Sequence, residues 1–161
     1  SDITYVFHST KEYSGLIKSF ITKSNISNCE IVSDDKIKSH ILYKSIFAVA
    51  KSGTVSLEIC NAKIPSIILY KMGFLNFLIV KSLVKTKYAN IINFAANKEV
   101  IPELLQSNCN SKNIFKYVSE FLENPNKIKE QVKEVQIILD KFKISRSSSE
   151  LASLSINKFL Q

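Results

Sequence analysis

The chain has 161 residues, 45% hydrophobic, with a formal net charge of +8, which suits one packed domain or one domain with an appendage. All but one of its 22 basic residues are lysine, Arg146 being the exception; they are scattered rather than gathered in an arginine- and aromatic-rich stripe, so no nucleic-acid partner is expected, and the charge implies at most a weak attraction to anionic membrane surfaces. Cys29, Cys60 and Cys109 lie far apart, and His8 and His40 have no carboxylate or thiol at ligand spacing, which argues against a disulfide framework and a metal centre and for reduced thiols in a cytosolic protein.

The first half alternates strand and helix. Residues 3–8 read as a strand, and residues 11–22 as a helix behind Ser9 or Thr10 as cap. A short strand over 29–32 and a short helix over 36–44, capped by Asp34 or Asp35, follow. Next come an apolar strand over 46–50, a tight turn, a short helix and a second apolar strand over 64–70. Short apolar strands flanked by helices predict an α/β fold with a Rossmann-like parallel sheet covered by helices on both faces.

Residues 74–84 read as a helix that either packs on the sheet or faces lipid with its lysines toward headgroups. Residues 88–92 are predicted to form a strand, and beyond Pro102 only helix is expected. Residues 111–123 are amphipathic. Asn124-Pro125 supplies a cap before a first-turn proline and restarts a helix to about Phe142. Ser147 and Glu150 form a capping-box pattern for a last helix ending near Leu160. The domain organisation is therefore 1–110, a sheet domain, and 111–161, C-terminal helices. The longest apolar run, 72–84, is broken by Asn76, Lys81 and Ser82 and is too short to span a bilayer. The chain opens almost on a strand and without an initiator Met, which reads as a piece of something longer.

The segment Ser52-Gly53-Thr54-Val55-Ser56-Leu57-Glu58 places small residues where a helix begins after a strand. Free N–H groups and the positive end of the helix dipole make such a turn an anion site. Glu58 follows about one turn on and suits sugar hydroxyls, so a diphosphate next to a ribose would satisfy both halves. The plain alternative is a tight strand-to-helix turn. The chain contains neither G-x-G-x-x-G nor G-x-x-x-x-G-K-[ST], which disfavours dinucleotide and P-loop readings. Asn93 and Glu99 flank a turn and read locally as turn polars. No Ser/His/Asp or Cys/His set suggests nucleophilic catalysis.

Residues 52–106 resemble lipid-A-disaccharide synthases. The resemblance is carried by SGTVSLE, then IPSIILYK, then LVKTKYANIINFAANKEVIPELLQ, in that order and spacing. It implies most of the C-terminal, nucleotide-binding half of a two-domain GT-B glycosyltransferase. Such enzymes condense UDP-2,3-diacylglucosamine with 2,3-diacylglucosamine 1-phosphate, with inversion, into the lipid A disaccharide and UDP. They use no metal and no cofactor, and work in the cytoplasm, peripherally at the inner face of a Gram-negative inner membrane. By the same resemblance Ser52, Gly53 and Thr54 hold the diphosphate, Glu58 binds the ribose, and Asn93, Glu99 and Gln106 match further positions of the nucleotide-sugar site. The general base would belong to an N-terminal domain outside this chain, so the chain alone should be inactive.

The match has departures. Asn97-Lys98 stands where the family has Gly-Arg, Tyr70-Lys71 where it has Tyr-Arg, and Ile91-Ile92 where it has Leu-Pro. Lysine keeps the charge of arginine but loses its planar fork. Two rival readings remain at this stage. One is another GT-B UDP-sugar enzyme, such as the lipid II transferase or a UDP-sugar epimerase. The other is a non-catalytic, basic membrane-surface or interaction module. The apolar stripe of 149–161 is expected to meet a missing partner domain, fold back, or exchange between two copies in a homodimer.

Overall fold

The computed structural model describes residues 3–83, 86–143 and 148–159. It divides into two compact units, 1–46 and 47–161. In the first, β1 (Tyr5–His8), α1 (Lys11–Lys23), β2 (Cys29–Val32) and α2 (Asp35–Lys44) follow the expected order. β1 and β2 pair in parallel, with Tyr5 opposite Cys29 and His8 opposite Val32. Asp34 caps α2 by accepting the Lys36 N–H at 2.9 Å. Asn25 and Asn28, at φ 50° and 57°, turn the chain between α1 and β2; asparagine visits the left-handed region more readily than other side-chain-bearing residues.

The second unit carries β3 (Ala48–Lys51), α3 (Thr54–Asn61), β4 (Ser66–Tyr70), α4 (Phe74–Leu83), α5 (Ile91–Ala96), β5 (Glu103–Leu105), a 3-10 turn (Gln106–Asn108), α6 (Ser111–Glu123), α7 (Pro125–Phe142) and α8 (Ser148–Phe159). Its sheet has the order β3-β4-β5 and is parallel throughout. Lys51 lies opposite Leu69, and Leu69 opposite Leu104, so the carboxyl ends of the strands come out along one edge.

β4 is the centre of this unit. Neighbouring strand residues point to opposite faces, yet Ile67 and Ile68 are both 0% exposed, so both faces are covered there. On the Ile68 face the core gathers Cys60 from α3, Ile92 from α5, Val100 and Ile101 from the loop before β5, and Val135 and Ile138 from α7. Burying a side chain the size of Ile68 contributes about 1.5–3 kcal/mol. α7 is fastened by one polar residue as well. Gln131 is buried; its Oε1 accepts from Ser66 N at 2.8 Å and its Nε2 donates to Ser66 O at 3.0 Å and Val100 O at 3.3 Å. Its amide thus stands in for a peptide group at the start of β4. α6 joins α7 through Asn124, which ends one helix and caps the next by accepting from Asn126 N and Lys127 N, with Pro125 in the first turn as expected. Phe121 of α6 meets the Phe47 ring at 5.4 Å between centroids.

Two expectations are corrected. Residues 88–92 form no strand: Asn90 caps α5 and accepts the Ile92 N–H at 2.9 Å. Ile91 is exposed and Ile92 fully buried, an in–out alternation that a helix start shares with a strand. The segment after Pro102 is not helix only, because Glu103–Leu105 is a third strand on β4. Its residues have little strand preference of their own, and pairing with a buried neighbour decides their conformation. The expected α/β class with parallel strands flanked by helices is what each unit shows: two parallel strands in the first and three in the second. Ser147 and Leu160, the expected limits of the last helix, lie outside the described residues.

Candidate functional site

The carboxyl edge of the β3-β4-β5 sheet is where parallel α/β folds place their ligands, and the turn at Gly53 stands on it. β3 ends at Lys51, and α3 starts two residues after Ser52. Gly53 is the N-cap of α3 with φ 150° and ψ −163°, a conformation essentially reserved for glycine. A glycine cap offers no side chain to the first N–H groups of the helix, and the first turn of α3 holds no acidic residue. By contrast α2, α5, α6 and α7 are each capped by an Asp or Asn side chain. Gly53, Thr54 and Val55 are exposed. The positive end of α3 therefore opens to solvent at a sheet edge, without a built-in anion.

The turn is not loose. Ser52 Oγ donates to Ala89 O at 2.7 Å, tying it to the loop before α5. Ser56, buried in the first turn of α3, donates from Oγ to Gly53 O at 2.6 Å and accepts from Asn90 Nδ2 at 3.1 Å. Asn90 is buried, and because its Oδ1 takes the Ile92 N–H its amide can face Ser56 only as a donor.

Glu103, the first residue of β5, organises the other side. Its Oε2 accepts from Ala89 N at 2.7 Å, and its Oε1 accepts from Asn90 N at 3.0 Å and Asn93 Nδ2 at 2.7 Å. Bonds to an ionised acceptor are roughly twice as strong as neutral ones. Glu103 thus ties the loop that holds Ser52, and α5 after it, to the start of β5.

The residues singled out in sequence divide into two sets. Ser52, Gly53, Thr54 and Glu58 lie on or just after the turn, with the Glu58 residue exposed in α3. Asn93, Glu99 and Gln106 are engaged with the protein itself. Asn93 is 0% exposed: its Oδ1 accepts from Val100 N and Ile101 N at 2.8 and 2.9 Å, and its Nδ2 donates to Ile101 O and Glu103. Glu99 Oε1 accepts from Glu103 N at 3.2 Å. Gln106, at φ 47°, clasps Met72, accepting its N–H at 2.8 Å and donating to its carbonyl at 3.1 Å, and so joins the segments that leave β4 and β5.

Asn97, Lys98 and Ile92, which depart from the family's residues, each have a local role, whereas nothing in the structure explains Lys71. Asn97 ends α5 at φ 51° and ψ 28°, the left-handed position where glycine is commonest and asparagine next. Lys98 pairs with Glu134 of α7 at 2.8 Å. Ile92 supplies the N–H that Asn90 caps, a bond that a proline there could not make. At the sheet edge Lys51 Nζ lies 5.6 Å from the Tyr70 ring centroid, within cation–π range.

Sequence reading missed Ser56, Asn90 and Glu103. A helix-capping signal was available at Asn90, directly before an apolar pair. Nothing local marks Glu103, whose partners lie 10 to 14 residues away. Cys60 is buried, as expected, and burial pushes its thiol pKa up to about 11; it is a core residue. Among the described residues no cluster of His, Cys, Asp and Glu is placed to hold a metal ion, and no helix is long and apolar enough to cross a membrane.

A family model for lipid-A-disaccharide synthetase matches residues 2–156. The lipid-A-disaccharide synthase of Rickettsia canadensis is 39% identical over 140 residues, covering 86% of this chain and 35% of that protein. Those of Rickettsia bellii and Rickettsia prowazekii are 36% and 34% identical over 149 residues, covering 91% of this chain and 38% of each relative. The chain thus spans little more than a third of the length of these relatives.

Proposed function

The chain belongs to the lipid-A-disaccharide synthetase family, and from that premise we propose that it forms the UDP-binding part of an inverting GT-B glycosyltransferase. The reaction assigned to the whole protein condenses UDP-2,3-diacylglucosamine with 2,3-diacylglucosamine 1-phosphate and releases UDP. The observation that carries this reading is the glycine-capped, exposed N-terminus of α3 on the carboxyl edge of a parallel sheet. Ser52, Gly53 and Thr54 would meet the diphosphate there. As the glycosidic bond to the donor breaks, the departing UDP gains negative charge. N–H donors already aimed at that position stabilise the charge without reorganising. Glu58, one turn further along α3, would accept the ribose hydroxyls.

Asn93, Glu99 and Gln106 contribute to this nucleotide-sugar site in a second way. Their hydrogen bonds to backbone support a role in fixing the loops around the turn. Residues 1–110 would supply the nucleotide-binding sheet domain and 111–161 the helices that close it or reach the remainder of the enzyme. No residue of this chain is assigned as the general base, so the chain alone would not turn over. The place of work would be the cytoplasmic face of the inner membrane. Exposed Leu75 and Leu83 on α4, with exposed Lys71 just before that helix, support a membrane-surface contact. Exposed Leu151, Leu154 and Ile156 on α8 support either docking on the remainder of the enzyme or exchange of that helix between two copies.

The test is a comparison of UDP with UMP by titration calorimetry. If the turn takes a diphosphate, UDP binds about tenfold or more tightly, and uridine hardly at all. Equal affinity for UDP and UMP would remove the diphosphate from the turn and with it this reading.

A further inference from the structure

We propose that Asn90 and Glu103 are positioning residues that set the shape of the turn at Gly53, so that diphosphate affinity is controlled from the start of β5. The inference rests on the UDP-binding reading above and concerns groups that need not touch the ligand. Two routes run from one carboxylate to one turn. Along the first, Glu103 Oε2 fixes Ala89 N at 2.7 Å and Ala89 O holds Ser52 Oγ at 2.7 Å. Along the second, Glu103 Oε1 fixes Asn90 N at 3.0 Å, Asn90 Nδ2 donates to Ser56 Oγ at 3.1 Å, and Ser56 Oγ donates to Gly53 O at 2.6 Å. Residues on both sides of Gly53 are thereby held by one side chain 50 positions later in the chain.

The geometry has a reason to exist. Gly53 sits at φ 150° with nothing within 4 Å of where a Cβ would stand, so nothing packs against it on that side. Glycine has the widest backbone freedom of any residue, and an anion site works only if its N–H groups converge before the ligand arrives. The hydrogen bonds to Ser52, to Ser56 and to Gly53 O restrain the turn where no side chain fills that space. Asn90 is also the α5 cap, so the same residue links the two helix starts.

Asn90→Ser separates the roles, because a serine hydroxyl can still cap Ile92 but cannot reach Ser56 as a donor. Two readouts on the full chain decide the matter: amide hydrogen exchange without ligand, and UDP affinity. In Asn90→Ser the Ser56 amide, bonded to Gly53 O at 3.1 Å, should exchange about tenfold faster while Ile92 stays protected, and UDP should bind about fivefold more weakly, the scale of one lost hydrogen bond. Ser56→Ala should weaken UDP similarly, and the double variant no further, since both remove one link. Glu103→Gln, which keeps one acceptor, should loosen the Ala89 amide and also weaken UDP. Unchanged exchange at Ser56 in Asn90→Ser, or additive losses in the double variant, would overturn the inference even if UDP binds the unaltered chain as expected. If the unaltered chain fails to bind UDP, the functional reading falls and exchange alone decides whether Asn90 holds the turn.

Discussion

Asn93 donates to Glu103 Oε1 at 2.7 Å from an amide whose oxygen takes the N–H groups of both Val100 and Ile101. Its side chain is fully buried, and its bonds to Val100, Ile101 and the Ile101 carbonyl are made away from water. Removing it strands two backbone donors, one carbonyl and part of a carboxylate. Asn93→Ala is therefore expected to lower stability by about 3 kcal/mol, since each buried group left without a partner costs on the order of 1–3 kcal/mol. Urea denaturation checks this: the midpoint should fall with the slope unchanged. A loss below about 1 kcal/mol would mean that water or a neighbour replaces the amide readily.

Gly53 gives a second prediction. Its φ of 150° and ψ of −163° are open to glycine alone in practice, and an added Cβ would meet nothing within 4 Å. Gly53→Ala should thus cost about 1–3 kcal/mol through the backbone torsion, and should weaken UDP at least as much as Asn90→Ser. Thermal unfolding alongside a UDP titration measures both. Full stability together with full affinity would contradict the geometry of the turn.

Much of this was readable in the sequence, and the misses have physical causes. The Ser-Gly-Thr turn and the caps at Asp34 and Asn124 are local signals and appear where expected. β5 was not legible because Glu103–Leu105 becomes a strand only through its neighbour β4. α5 was misread because Ile91 and Ile92 alternate outward and inward at a helix start as they would in a strand. Ser52 to Gln106 could be picked out by resemblance. That Asn93 turns inward while the turn stays exposed depends on its bonds to Val100, Ile101 and Glu103, which no local pattern carries.

The cysteines make a pH prediction. Burial pushes the Cys60 thiol from 9.0 to about 11. A pKa raised in the folded state means that the fold binds the proton more tightly than the unfolded chain does. The stabilisation is complete below pH 9 and is lost as pH rises toward 11. At pH 8 the partly exposed Cys29 and Cys109 should react with a thiol reagent well before Cys60. Labelling followed by mass spectrometry reads the order; early modification of Cys60 in the folded protein would contradict its place in the core.

Leu151, Leu154, Ile156 and Phe159 are all exposed on α8. A stripe of this kind favours association when nothing covers it. Light scattering should show a mass that rises with concentration, and deletion of residues 149–161 should reduce the rise. A monomeric mass over a wide concentration range, with α8 protected from hydrogen exchange, would show instead that the helix packs within its own chain.

The most direct test of the account is an amide chemical-shift titration of this chain with UDP. Binding should be weak, about 0.1–1 mM, corresponding to roughly 4–5.5 kcal/mol. The account predicts that the largest shifts fall on Ser52 to Glu58, with smaller ones at Ala89 and Asn90, which are tied to the turn through Ser52 and Ser56. Shifts confined to residues 3–46, or no response at UDP concentrations about ten times the upper estimate, would contradict it.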